Sequence, residues 1–268
     1  MSAYQQILGI RFFTGTAAEA ASVGMQGGLV VAPAAPGLVE LPRDPVYSKA
    51  LAKADLVITD SGFMVLLWRL FRRERIIRTS GLEYLRLILK QPGLKAPRQT
   101  FWIMPSVEAM QRNLAWLQQQ GFRVNAGDCY IAPVYRPGSD GVIEDPNLLR
   151  LLEQRLPRHV VVCVGGGVQE KLGHYLRDRL PGRPSIHCIG AAIGFLTGDQ
   201  VAIPAWADRL YLGWLIRILS APTRFFPRYW KSRKLVGLIW RYGERSPLSQ
   251  GLSRQKPSGL QGGRSPAE

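Results

Sequence analysis

Apolar and polar positions predict strands and helices in alternation over about the first 200 residues. Short apolar runs rich in β-branched residues read as buried strands: Gly28–Ala32 (GLVVA), Asp55–Thr59 (DLVIT), Thr100–Met104 (TFWIM), His159–Val164 (HVVVCV) and Ser185–Gly190 (SIHCIG). Segments with helical spacing lie between them: Pro45–Ala54, Ser61–Leu70, Leu82–Lys90, Asp145–Arg155 and a stretch from about Val168 to Arg179. The clearest is Ser106–Gln120, where Ser106 can cap, Val107, Met110, Leu114 and Leu117 form one stripe, and Gly121 stops the helix. This alternation predicts an α/β fold with a largely parallel sheet flanked by helices.

The pattern changes after about Pro204. From Ala205 onward there are 12 Lys and Arg against 3 Asp and Glu. Two apolar stretches, Leu210–Leu219 and Leu235–Trp240, sit among these cations together with Phe225, Phe226, Tyr229, Trp230 and Tyr242. From Ser246 onward Ser, Pro, Gly and Gln dominate, which reads as a disordered tail. The expected organisation is a core over 1–204, a basic aromatic region over 205–245 and a tail over 246–268.

Composition limits the function classes. The 268 residues are 46% hydrophobic and 20% charged, enough apolar surface for a packed core. A net charge of +16 predicts an anionic partner: nucleic acid, an acidic membrane surface or a phosphorylated substrate. Cys129, Cys163 and Cys188 form no C-x-x-C pair, and His159, His174 and His187 are scattered, so no metal site is expected. The start, MSAYQQILGIRFF, lacks the pattern of a signal peptide, and no apolar run approaches the roughly 20 residues of a spanning helix. A soluble protein able to sit on a membrane is the reading.

Three segments carry candidate chemistry. Val164-Gly-Gly-Gly-Val-Gln-Glu170 follows a strand and opens a helix, so its backbone N–H groups could receive a phosphate, or could simply form a tight turn. Asp60 ends the Asp55–Thr59 strand, where ligands of open α/β sheets collect; it could act as a general base, or it or Ser61 could cap the next helix. Arg78 could hold a phosphate through its planar fork, or belong to the solvated charges Arg69, Arg72, Arg73, Glu74 and Arg75. The basic aromatic region fits a lipid headgroup zone; single-stranded nucleic acid and ordinary helical packing are its rivals.

Taken together, these segments resemble the WecG/TagA/CpsF family of bacterial glycosyltransferases (glycosyltransferase family 26), from about residue 5 to Trp230. VVVCVGGGVQEKL is similar to the family's strand and Gly-x-Pro-Lys-Gln-Glu motif. IGAAIGFLTGDQVAIPAWADRLYLGWLIRILSAPTRFFPRYW is similar to its next block, with Phe-Leu-x-Gly, Pro-x-Trp, Trp-x-x-Arg, Pro-x-Arg and Arg-Tyr. The resemblance implies a Rossmann-like core with a basic α-helical C-terminal appendage (GT-E-like). It implies transfer from a UDP-sugar, typically of N-acetylmannosamine type, to a polyprenyl-diphosphate-linked acceptor at the cytoplasmic face of the bacterial plasma membrane.

Position by position, Asp60 matches the proposed base and Arg78 an active-site arginine. Gly165, Gly166, Gln169 and Glu170 match the donor-side loop, and Arg217, Arg224 and Arg228 match the appendage arginines expected to meet phosphate. No Asp-x-Asp motif occurs, so a metal-independent reaction is expected; the resemblance implies an inverting transfer with Asp60 as base, and no cofactor is expected. The expected partners are the UDP-sugar, the lipid acceptor and an anionic membrane, with a homo-oligomer possible and no nucleic acid. Several positions depart from the family: Val31-Ala-Pro-Ala34 stands at its Thr-x-Asn, Asp60-Ser61 at Asp-Gly, Pro105-Ser106 at a glycine pair and Gly167-Val168 at Pro-Lys. Gly194 and Gly213 stand at a frequent Asp and Glu. A non-catalytic scaffold of a polysaccharide assembly complex is the alternative reading, with a nucleic-acid-binding protein ranked after it.

Overall fold

The computed structural model describes residues 3–136, 140–200, 211 and 213–248, and of residues 214, 217, 224, 225 and 228 the backbone alone. Eight strands form one sheet: β1 (Tyr4–Ile7), β2 (Ile10–Phe13), β3 (Gly28–Val31), β4 (Leu56–Ile58), β5 (Thr100–Met104), β6 (Cys129–Ile131), β7 (His159–Val162) and β8 (Ser185–Cys188). Their order is β1-β2-β4-β3-β8-β7-β5-β6. The β1–β2 hairpin is antiparallel and every other pair is parallel.

The helices are α1 (Ala17–Gly24), α2 (Ala35–Leu38), α3 (Pro45–Lys53), α4 (Gly62–Arg72), α5 (Gly81–Leu89), α6 (Pro92–Lys95), α7 (Val107–Gln119), α8 (Pro146–Arg155) and α9 (Val168–Arg179). After the uncharacterised stretch come α10 (Gly213–Ser220), α11 (Pro222–Ser232) and α12 (Lys234–Tyr242). The Rossmann-like α/β architecture read from the sequence is the one observed. Helix starts follow local chemistry: Asp44, Ser61, Ser80, Ser106 and Asp145 each accept a backbone N–H from the third residue onward.

Side chains alternate across the strands and build two cores. Leu29, Val31, Val57, Ile103 and Val162 face α3, α4, α8 and α9. Val30, Leu56, Ile58, Trp102 and Val161 face α1, α5 and α7. Parallel strands buried on both faces read as continuous apolar runs, which is why the sequence showed them so plainly.

The last helices join the first core. Leu235 and Ile239 of α12 are fully buried, and α12 lies along α4. Beyond α12 the chain returns to the β1–β2 turn, where Leu8 N–H and Gly9 N–H donate to the carbonyls of Gly243 and Glu244 at 2.7 and 2.8 Å. Helix α11 packs on α2, so it crosses the carboxyl edge of the sheet.

Candidate active site

Helix α4 lies on one face of the sheet and α5 on the other. The chain between them, Arg73–Ser80, must pass around the carboxyl end of β4, and Thr59 and Asp60 bind it there. Thr59 Oγ1 donates to Ile77 O at 2.7 Å and accepts from Thr79 N–H at 3.0 Å. Arg78 Nε donates to the Asp60 carbonyl at 3.0 Å, with its guanidinium 5.6 Å from the centre of the Tyr211 ring. Arg78 is therefore half-buried and built into the strand end, whereas Arg69, Arg72, Arg73 and Arg75 are exposed.

Asp60 does not cap α4. Ser61 does, accepting from Met64 N–H at 3.2 Å. The Asp60 carboxylate turns instead to the first residue of α5, where Oδ1 accepts from Gly81 N–H at 2.8 Å. The capping alternative is thereby assigned to Ser61, and the carboxylate faces a cavity. That cavity, about 80 Å³, is lined by Ala34 and Ala35 on one side, Asp60, Ser61 and Arg78 below, and Tyr211, Gly213 and Tyr229 from the C-terminal region. It is well under the roughly 300–1,000 Å³ of ligand pockets.

A second cavity of about 410 Å³ opens on the far side of α2. Pro36, Gly37, Glu40, Asp44 and Tyr47 form one wall, Gly166 and Gly167 another, and Pro227 and Lys231 of α11 the third. The glycine loop that lines it ends β7. Gly165 and Gly166 are exposed, and Gly167 N–H donates to Glu170 Oε2 at 2.7 Å, closing the first turn of α9. Glu170 is buried, and its other oxygen accepts from Gln169 Nε2 at 3.1 Å. That bond fixes which way the Gln169 amide points. Its Oε1 is buried and accepts no hydrogen bond among the described residues. A buried acceptor left open is costly. Gly190, at the end of β8 and in the left-handed region at φ +59°, lies beside the amide, where a Cβ would be in ordinary contact with Oε1 at 3.4 Å.

The structure brings Asp60 and Arg78 into one cavity and places Gly166 at another, with Gly165 beside it, whereas Gln169 and Glu170 are buried in the first turn of α9 and line neither. Their strands, β4 and β7, are separated by β3 and β8. At about 4.8 Å per strand the two groups lie roughly 14 Å apart, along one edge of the sheet. Arg217 lies on α10, and Arg224 and Arg228 on α11, but their side chains fall outside the described residues. Sequence reasoning missed Tyr211, Tyr229 and Lys231 as lining groups and Glu40 and Asp44 as acids at the larger cavity. Nothing in their local sequence marks them, because the crossing of α11 over α2 creates their position. Among the described residues no cluster of three or more His, Cys, Asp or Glu could hold a metal ion, and no helix is long and apolar enough to cross a membrane.

An open α/β sheet with an acid, an arginine and a glycine loop along its carboxyl edge has the layout of a Rossmann-like enzyme. The chain belongs to the glycosyl transferase WecG/TagA/CpsF family, which it matches over residues 5–248. It is 22% identical over 193 residues to an N-acetylglucosaminyldiphosphoundecaprenol N-acetyl-beta-D-mannosaminyltransferase of Bacillus spizizenii strain W23, covering 69% of this chain and 68% of that protein. It is 32% identical over 88 residues to a Bacillus subtilis strain 168 protein of the same name, covering 32% of this chain and 34% of that one. The chain is a glycosyltransferase.

Proposed function

We propose that the enzyme transfers a hexosyl group, of N-acetylmannosamine type or a related hexose, from a UDP-sugar to a polyprenyl-diphosphate-linked sugar in cell-surface polysaccharide synthesis. The carrying observation is the Asp60 carboxylate, anchored through one oxygen to Gly81 N–H and open to the cavity beside Arg78. In this reading Asp60 takes the proton of the attacking acceptor hydroxyl. The hydroxyl oxygen bonds to the sugar's anomeric carbon from the face opposite the diphosphate, the bond to the diphosphate breaks, and UDP leaves with the electron pair. The configuration inverts in one displacement. Arg78 and the arginines of α10 and α11 offset the charge of the diphosphates. No metal is assigned a part, because the sequence lacks the Asp-x-Asp pair that would carry one.

The cavity beside Gly166 and Gly167 supports a donor seat, and the unpaired Gln169 Oε1 lies buried at the start of the helix that follows that loop. The enzyme would act as a peripheral protein on the inner membrane face. Asp60→Asn is expected to retain the fold by circular dichroism and to abolish UDP release from a UDP-sugar in the presence of lipid acceptor. Unchanged turnover in that variant would remove Asp60 from the mechanism.

A further inference from the structure

We infer that membrane docking is not confined to the C-terminal region: the α4 tip within the Rossmann-like core is a second element, made to sit in an anionic lipid headgroup layer. Helix α4 buries Met64, Val65, Leu67 and Trp68. Its opposite face carries Leu66, Arg69 and Leu70, which fall within about 100° on the helical wheel, and Arg73 follows as the left-handed residue that ends the helix. Leu70 is 69% exposed and Leu66 37%. Trp240 of the adjoining α12, 73% exposed, packs edge-on against Phe71 with ring centres 5.4 Å apart, so it extends this apolar face.

Around that face Arg69, Arg72, Arg73 and Arg75 outnumber a single acid, Glu74. Arg69, Arg73 and Arg75 form no ion pair among the described residues, and the acid within the run, Glu74, accepts from Trp68 Nε1 at 3.0 Å. Leucines flanked by arginines, with a tryptophan at the rim, match an interface whose outer layer is phosphate and whose inner layer is acyl chain. A second copy of this chain is a poor occupant, since a two-fold contact would set the same arginines against each other.

The placement deepens the proposed function and rests on it for its purpose. Arg75 and Arg78 are three residues apart, at most about 10 Å of extended chain. Since Arg78 bonds to Asp60, a tip resting on headgroups holds the Asp60 cavity within reach of a diphosphate at the membrane surface.

The test is co-sedimentation of the full chain with vesicles of phosphatidylcholine containing about one-third phosphatidylglycerol. Arg69→Gln/Arg73→Gln/Arg75→Gln is expected to weaken binding at least about tenfold. The charge-matched control Arg86→Gln/Lys90→Gln/Arg123→Gln, on exposed positions elsewhere, should change it less than about twofold. Leu70→Ser should weaken it several-fold at high salt, where the charge contribution is screened. Melting temperatures should match the parent throughout, and turnover of a short-chain, water-soluble acceptor should stay unchanged. Equal losses in the two triples, or parent-like binding by the tip triple, would overturn the inference. So would a loss of self-association in sedimentation velocity that accounts for the vesicle effect. Vesicle binding needs no sugar transfer, so an α4-dependent result without turnover would sink the proposed reaction and leave the docking intact.

Discussion

Lowering the pH should destabilise this enzyme well before its carboxylates titrate, through three stacked groups in the second core. His159 opens β7 and His187 lies in β8, their rings 5.6 Å apart and nearly parallel. His187 Nδ1 meets the Tyr84 hydroxyl at 2.8 Å, and its Nε2 lies 3.4 Å from His159 Nδ1. His187 is 0% exposed and His159 1%. Burial disfavours the imidazolium and lowers His187 to about 3 and His159 to about 4, with the Arg158 charge depressing His159 further and His159, when protonated, depressing His187 further. Unfolded, both return to about 6.5. As pH falls below about 6.5 the unfolded chain takes up protons that the folded one refuses, so stability is full above that value and is lost on the way down to the folded values. Between pH 7 and pH 5 each histidine accounts for about 2 kcal/mol, about 4 kcal/mol together. This is a large share of the 5–15 kcal/mol typical of a folded domain. Urea unfolding followed by tryptophan fluorescence at pH 7, 6 and 5 measures the slope. The double variant His159→Gln/His187→Gln should be weaker at pH 7 yet distinctly flatter. A parent protein whose unfolding free energy is level from pH 7 to 5, or a double variant with the parent's slope, would refute the reasoning.

Two further outcomes follow from packing and charge. Asp55 sits at the amino end of β4 and accepts from Leu29 N–H at 2.8 Å, Arg177 Nε at 2.9 Å and Arg183 at 2.6 Å. Burial alone would raise its carboxyl, but the bonds from Arg177, Leu29 and Arg183 outweigh that and lower it. Asp55→Asn should cost about 1–3 kcal/mol at pH 7 in urea unfolding, and the difference should shrink as pH falls below about 4. Gly24 closes α1 against the Tyr84 hydroxyl, so a methyl there has no space. Gly24→Ala should cost about 1–3 kcal/mol, with part of the loss recovered by Tyr84→Phe, read as melting temperatures.

The sheet was legible where strands are buried on both faces and hidden where they are not. Thr100–Met104 matches β5 end for end, and the runs at β3, β4, β7 and β8 were placed within two residues. The hairpin of β1 and β2 left no such trace: four-residue strands at one side of the sheet, with Gln6 and Arg11 exposed, carry too few apolar positions to signal. β6 has three residues, all half-buried. Helix α1 could have been read from Thr16-Ala-Ala-Glu19, whose threonine and glutamate cap each other reciprocally. At the site, Asp60 and the glycine loop were visible because each ends a strong strand. Arg78 was not separable by pattern from its arginine neighbours. What distinguishes it is tertiary: Thr59 pins the segment and turns this arginine inward while the others stay in solvent. The lining tyrosines, Tyr211 in a turn and Tyr229 on α11, lie some 150 residues away in sequence and had no local signature.

The division of the cleft by α2 bears on how the reaction would be supported. Ala34 and Ala35 line the Asp60 cavity, and Pro36 and Gly37 line the larger one. This is the segment where related sequences are expected to carry Thr-x-Asn, and here it offers the cavity methyl groups and a proline-started turn. Polar contacts to a sugar must then come from elsewhere. Ser61 is committed to Met64 N–H, and Thr59 to the Ile77–Thr79 segment. The groups left at the cavity are Asp60, Arg78, Tyr211 and Tyr229, the latter two from the region that α10 to α12 hold over the sheet. The C-terminal helices therefore supply part of the polar lining that the core lacks. Because Leu235 and Ile239 tie them into the main core, cutting the chain near Pro204 would expose buried surface as well as remove that lining. Point substitutions on exposed residues are accordingly the perturbations that separate catalysis from the proposed membrane contact.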